Sequence, residues 1–278
     1  YVEHILMTST HDFHLFFTNK GRVYKIKGYQ IPEGSRQSKG LPIVNLLDFD
    51  SDETLTSFTS VKNFETENEY LTFITKRGVV KRTPISDYQN IRTNGIIAIS
   101  LREDDELLSV RSTDGNKEII LGASNGKAIR FAETDVRSMG RTAGGVRGMS
   151  ISEADEIVGV AIVDNEQEEI LVITEKGFGK RTIVGEYRKQ IRGGKGVKTI
   201  NITEKTGELV AIKNVTDDDD LMIINKSGIT IRMGVSDLRV MGRATQGVKL
   251  INIKENDSIA AVAKVQSEDE DVEEIVDD

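Results

Sequence analysis

The chain contains no cysteine, which rules out disulfides and thiolate-bound metals. It has only three histidines, His4, His11 and His14. Without thiols or an ordered carboxylate set their spacing does not describe a metal site, and surface or strand packing accounts for them. No stretch approaches about eighteen consecutive apolar residues, so no membrane-spanning helix is expected, and no charged, apolar, small-residue leader opens the chain. Nor does any nucleophile stand out beside a base, so no catalytic site is legible and no cofactor is expected. The loop Arg192-Gly193-Gly194-Lys195-Gly196 lacks the Ser or Thr and the following helix of a nucleotide-binding loop. The run Asp217 to Asp220 lacks the alternating ligands of a calcium loop and reads as a solvated turn. A cysteine-free composition fits a cytosolic protein.

What the sequence does contain is a repeat. Five apolar runs each end in a polar turn closing on glycine, at Gly21, Gly78, Gly126, Gly177 and Gly228, with steps of 57, 48, 51 and 51 residues. Such a turn between β-rich runs predicts a hairpin whose glycine takes positive φ without steric penalty. Four residues beyond each glycine stands a cation: Lys25, Arg82, Arg130, Arg181 and Arg232. A second arginine, fourteen or fifteen residues beyond the turn, precedes another glycine: Arg36 to Gly40, Arg92 to Gly95, Arg141 to Gly145, Arg192 to Gly196 and Arg243 to Gly247. Alternating apolar segments follow, as in Val197 to Ile202, and predict strands with one buried and one wet face. An acidic turn, such as Asp155-Glu156, and a last apolar strand, such as Ile157 to Val163, complete the unit.

Four strands per unit at this period predict a propeller-like array in one body, because such a sheet cannot bury both faces until neighbours stack on it. A closed ring would also remove exposed sheet edges. The expected domain spans 1–266, with full repeats at about 11–66, 67–115, 116–167, 168–218 and 219–266. Tyr1 to Thr10 match only a last strand, so they read as a partial first unit, and five full copies plus one partial give an expectation of six blades.

The formal charge is −8, which argues against a polyanion partner until it is divided along the chain. Residues 267–278 carry eight acids and no base, so the remainder is neutral. This acidic tail reads as a disordered, solubilising end that could also compete intramolecularly for a basic surface. Within the repeats acids gather in turns, while bases gather at the hairpins and the Arg-to-Gly loops. In a ring, equivalent positions fall at one height, so the cations would form a belt. A belt on a curved body suits bent double-stranded DNA, contacted mainly through phosphates because nothing resembles a recognition helix. The candidate contacts are Lys25, Arg36, Lys39, Arg82, Arg92, Arg130, Arg141, Arg147, Lys180, Arg181, Arg192, Lys195, Lys198, Arg232, Arg243 and Lys249.

Segments including Gly21-Arg22-Val23-Tyr24, Lys39-Gly40-Leu41-Pro42-Ile43-Val44-Asn45, Gly144-Gly145-Val146-Arg147-Gly148, Gly177-Phe178-Gly179-Lys180-Arg181-Thr182 and Gly242-Arg243-Ala244-Thr245-Gln246-Gly247-Val248 resemble the C-terminal domain of the A subunit of bacterial DNA gyrase, across Tyr1 to Val265. The resemblance implies a six-bladed β-pinwheel, a propeller-like all-β disc whose blades exchange strands and around which DNA wraps. It implies a chiral crossing presented to the cleavage gate for ATP-dependent negative supercoiling. The cleavage tyrosine and ATP site lie elsewhere in that enzyme, so this domain is expected to be non-catalytic and monomeric in isolation. Its implied partners are the gyrase B subunit, together with the rest of the A subunit, near the bacterial nucleoid. The family's box, Gln-Arg-Arg-Gly-Gly-Lys-Gly, lies in its first blade. Gln190-Ile191-Arg192-Gly193-Gly194-Lys195-Gly196 is a degenerate copy in the fourth full repeat, and the box itself is expected upstream of Tyr1.

Half a turn of DNA costs on the order of ten kcal/mol to bend, which calls for many phosphate contacts along an arc. The two repeated cations per copy could supply them. The matching domain of topoisomerase IV, which shares the fold without strong wrapping, and a protein-binding propeller stay open as alternatives.

Overall fold

The structure, a computed structural model, describes residues 12–27 and 49–266. The partial first unit, the first Arg-to-Gly loop with Arg36 and Lys39, and the acidic tail all lie outside these residues.

The first repeat contributes β1 (Phe13–Thr18), β2 (Arg22–Lys27) and β3 (Leu55–Val61). The second holds β4 (Tyr70–Thr75), β5 (Val79–Pro84), β6 (Ile96–Ile97) and β7 (Leu107–Thr113). The third holds β8 (Glu118–Ala123), β9 (Lys127–Ala132), β10 (Val146–Arg147) and β11 (Ile157–Val163). The fourth holds β12 (Glu169–Thr174), β13 (Phe178–Ile183), β14 (Val197–Lys198) and β15 (Leu209–Val215). The fifth holds β16 (Asp219–Asn225), β17 (Thr230–Gly234), β18 (Val248–Lys249) and β19 (Ile259–Gln266).

Each sheet is built on one hairpin. The hairpin's first strand pairs on its other side with the last strand of its own repeat, while its second strand pairs with the two-residue strand of the following repeat. The orders are β3-β1-β2-β6, β10-β5-β4-β7, β11-β8-β9-β14, β15-β12-β13-β18 and β17-β16-β19. Four sheets are therefore completed by the neighbouring unit. Among the described residues nothing pairs with the free side of β17, so the fifth sheet has three strands.

Six blades were expected and five sheets are present among the described residues. The physical reason is the count of hairpins: a sheet forms around each glycine turn, and the repeat offers five. The residues read as the sixth unit fall outside the described ones and match a last strand alone.

The core lies between sheets. Leu15 and Phe17 meet Leu71 and Phe73, Ile74 and Val80 meet Ile119 and Leu121, Ile120 meets Ile170 and Val172, and Leu171 and Ile173 meet Leu221 and Ile223. Alternate residues of β12 thus face opposite neighbours. With both faces covered, the apolar run Ile170 to Ile173 is continuous, and its β-branched side chains fit the pleated surface. The last strands β3, β7, β11, β15 and β19 contact one another in succession and form the inner edges. The two-residue strands consequently lie on the outer edges.

The alternating segments are much shorter strands than their pattern implies. In the Val197–Ile202 segment only Val197–Lys198 pairs. Pairing stops because the amides of Thr199 and Ile200 both turn onto the carbonyl of Gly126, at 2.8 and 3.3 Å. Gly148 and Met149 donate likewise to Gly78. Gly78 has φ 93°, and a Cβ there would sit 2.6 Å from the Met149 carbonyl oxygen, so the position requires glycine for both conformation and close approach.

Candidate nucleic-acid interface

The first set of repeated cations holds neighbouring units together. Arg130 is 4% exposed. Its Nη1 donates to the Tyr187 carbonyl at 2.8 Å, and its Nε and Nη2 donate to Glu118 at 3.0 and 2.7 Å. Arg181 is 7% exposed and repeats the arrangement. It donates to the Leu238 carbonyl through Nε at 3.0 Å and Nη2 at 2.6 Å, and it pairs with Glu169 and Asp217. Arg82 donates to the Val136 carbonyl at 2.9 Å, pairs with Glu133 at 3.5 Å, and lies 4.4 Å from the centre of the Tyr70 ring. Lys25, half-buried, donates to the Gln89 carbonyl at 2.7 Å. In every case the acceptor lies beside a short 3-10 turn of the following repeat. These cations are clamps between units, and burial takes the three arginines away from any phosphate.

Arg232 occupies the same register in the fifth sheet yet stands open. It pairs with Asp220 at 2.8 Å. Among the described residues no following repeat lies over β17 to bury it.

The second set is intermediate. Arg141, Arg192 and Arg243 are half-exposed. Each sends Nη1 to a carbonyl of the preceding repeat's outer strand, namely Ile97, Arg147 and Lys198. Arg192 also donates to the Asp135 carbonyl at 3.2 Å, and Arg243 to the Glu186 carbonyl at 3.2 Å. The loops are thus linked in series along the outer edge. Arg92 is exposed.

Three of the outer strands carry an exposed base, and of these Lys198 reaches the Asn201 side chain at 3.3 Å. The second residues of the outer strands are Ile97, Arg147, Lys198 and Lys249, in one register, and all four are exposed. Lys195 is exposed in the neighbouring loop. Outer-edge position, exposure and a common register put Arg147, Lys198 and Lys249 along one rim.

Lys180 is placed differently from expectation: it is wholly buried. So is Lys81, at the same register in the second repeat, which the charge pattern alone does not single out. The recoverable signal was a lysine three residues beyond the glycine in two repeats, where the others have Tyr24, Ile129 and Ile231.

The acidic turns cap the hairpins. Asp105 accepts from the Arg77 amide at 3.0 Å, Asp155 from the Ser124 hydroxyl at 3.2 Å, and Asp257 from the Ser227 hydroxyl at 2.6 Å. These carboxylates are therefore tied to the turns. His14 is buried in β1 with Nδ1 2.8 Å from Ser60 Oγ, as strand packing requires. Among the described residues no helix is long and apolar enough to cross a membrane.

The family model for the DNA gyrase C-terminal domain, a β-propeller, matches five stretches: 14–62, 69–114, 117–164, 168–216 and 219–266. The chain belongs to this family. It is 48% identical over 296 residues to the A subunit of DNA gyrase from Staphylococcus epidermidis, covering 100% of this chain and 33% of that protein. Identity to the corresponding gyrase protein of Staphylococcus aureus is 50% over 272 residues, covering 98% of this chain and 31% of that protein. The chain thus spans about a third of these relatives. Among solved structures, it superposes on the C-terminal domain of DNA topoisomerase IV with a TM-score of 0.87 at 30% identity, covering 93% of this chain and 80% of that one. The DNA gyrase A C-terminal domain gives a TM-score of 0.76 at 26% identity, covering 92% and 83%. Sequence identity leads to gyrase A, while the higher of these structural scores belongs to topoisomerase IV.

Proposed function

We propose that this domain binds double-stranded DNA along its outer edge, bending it around successive blades through phosphate contacts. The observation that carries the reading is the exposed register of Arg147, Lys198 and Lys249, flanked by Arg92, Lys195 and the half-exposed Arg141, Arg192 and Arg243. The outer strands β10, β14 and β18 offer one exposed cation each, and a phosphate backbone tracking the rim meets them in turn. Such contacts position DNA without reading bases, so sequence preference follows deformability. The buried arginines and Lys180 are removed from the contact set, and Lys25 contributes mainly as a clamp.

In the holoenzyme the bent segment would form a chiral crossing for ATP-dependent negative supercoiling, with the gyrase B subunit plus the remainder of the A subunit for partners. The domain's own part is non-catalytic and belongs in the bacterial cytoplasm. The structural likeness to topoisomerase IV favours a second reading, in which DNA binds the same rim without strong wrapping.

Circle ligation in the presence of a relaxing topoisomerase, read as linking number with and without the chain across a salt series, tests both. A salt-sensitive linking-number shift supports chiral wrapping. Binding without a shift supports the second reading, and no binding at any salt overturns both in favour of a protein-interaction propeller.

A further inference from the structure

Two lysines are buried where a charge is costly. Removing an ammonium from water without compensation is strongly unfavourable, and burial pushes the Lys81 amine down to about 7 and the Lys180 amine down to about 8. Both Nζ atoms point at the Arg-to-Gly loop of the next repeat. Lys81 donates to the carbonyls of Ala98 and Arg141, each at 2.5 Å, and lies 4.7 Å from the centre of the Phe73 ring. Lys180 donates to the carbonyls of Gly242, Arg243 and Thr245 at 2.7, 2.6 and 2.9 Å, and to the Thr245 hydroxyl at 3.0 Å. All of these partners are neutral oxygens, and an ammonium with three donors and no acceptor can gather several of them.

The third blade supplies an internal comparison. There the equivalent residue is Ile129, fully buried, and the sheet forms with the same strand order. A lysine at this register is therefore not required to build a blade. What Lys81 and Lys180 add is a hold on the backbone of Arg141 and Arg243, the residues that present a guanidinium at the rim.

We propose that Lys81 and Lys180 are positioning residues for DNA binding, fixing the rim loops of the third and fifth repeats from beneath so that Arg141 and Arg243 meet the DNA pre-organised. This rests on the rim reading above. Neither lysine touches DNA. Each acts by removing conformational freedom that its loop would otherwise lose on binding.

The test is a double-mutant cycle in the 278-residue chain, with K81M, R141A and the pair. The readout is affinity for linear duplex DNA as a function of salt, measured well below each variant's unfolding temperature. Wild-type binding is read first. If it is absent, the rim reading itself fails, and this inference with it. If wild type binds, K81M is expected to weaken affinity severalfold at every salt concentration with the log-log slope nearly unchanged, because Lys81 orders the loop and contacts no phosphate itself. The pair should then show little beyond R141A alone, because coupled residues are not additive. Amide exchange across 139–145 should rise in K81M. Unchanged affinity in a folded K81M, or full additivity with R141A, would overturn the proposal and leave Lys81 a packing residue. If K81M does not fold, the same cycle with K180M and R243A decides, since among the described residues Lys180 bonds to the fifth repeat's loop alone.

Discussion

Arg130 and Lys198 carry the same charge and recur with the same period, yet one is 4% exposed within a carboxylate and carbonyl cage and the other is open on an outer strand. The difference comes from the strand exchange. A cation on the second hairpin strand lies beneath the following repeat, whose 3-10 turn brings a carbonyl to it. A cation on the two-residue strand has no further strand outside it among the described residues. Repetition of charge thus marks two structures, clamps within the disc and a belt on its rim, and burial separates them. Arg232 completes the lesson, because the same residue in the same register stands exposed where no following repeat covers it among the described residues.

Removing a clamp should have the largest effect. Arg130→Ala leaves the largely buried Glu118 with Lys189, 3.2 Å away, as its remaining cation and frees the Tyr187 carbonyl, so the unfolding free energy should fall by about 3 kcal/mol in urea titration, the low end for broken buried pairs. Arg232→Ala, in the open version of the position, should change it by less than about 1 kcal/mol. Equal losses in the two variants would erase the distinction between clamp and surface charge.

The rim should show the opposite profile. Neutralising Arg147, Lys198 and Lys249 together to alanine should leave the urea midpoint nearly unchanged, while the slope of log affinity against log salt flattens by about three. Charge reversal at Arg141, Arg192 and Arg243 should weaken DNA binding and also lower stability modestly, because each side chain donates to the preceding outer strand. An unchanged affinity in that folded triple variant would remove these loops from the interface. The smallest effect is a gain. Ile97 is the apolar member of the rim register, 49% exposed, so Ile97→Lys should steepen the salt slope by about one without altering the unfolding midpoint.

Much of the fold was legible because its determinants are local. A glycine turn such as Lys76-Arg77-Gly78 between Phe73-Ile74 and Val79-Val80 specifies a hairpin from adjacent residues alone. The strand exchange is not local. Val197 and Lys198 pair with Ala128 and Lys127, in the preceding repeat, and no alternation within 197–202 names that partner. The length of the outer strands was hidden for a related reason: they end where two amides converge on a distant glycine carbonyl. Among the candidate contacts, Arg147, Lys198 and Lys249 were identifiable as bases but not as one exposed register. Arg82, Arg130 and Arg181 were misleading because a one-dimensional pattern shows a charge without showing what covers it.

The most direct test is lysine acetylation footprinting of the folded chain with and without duplex DNA, read residue by residue at low salt. The account predicts that Lys195, Lys198 and Lys249 react freely and become protected when DNA is added, while Lys81 and Lys180 are unreactive in both states. Equal labelling of the three rim lysines with and without bound DNA would contradict it.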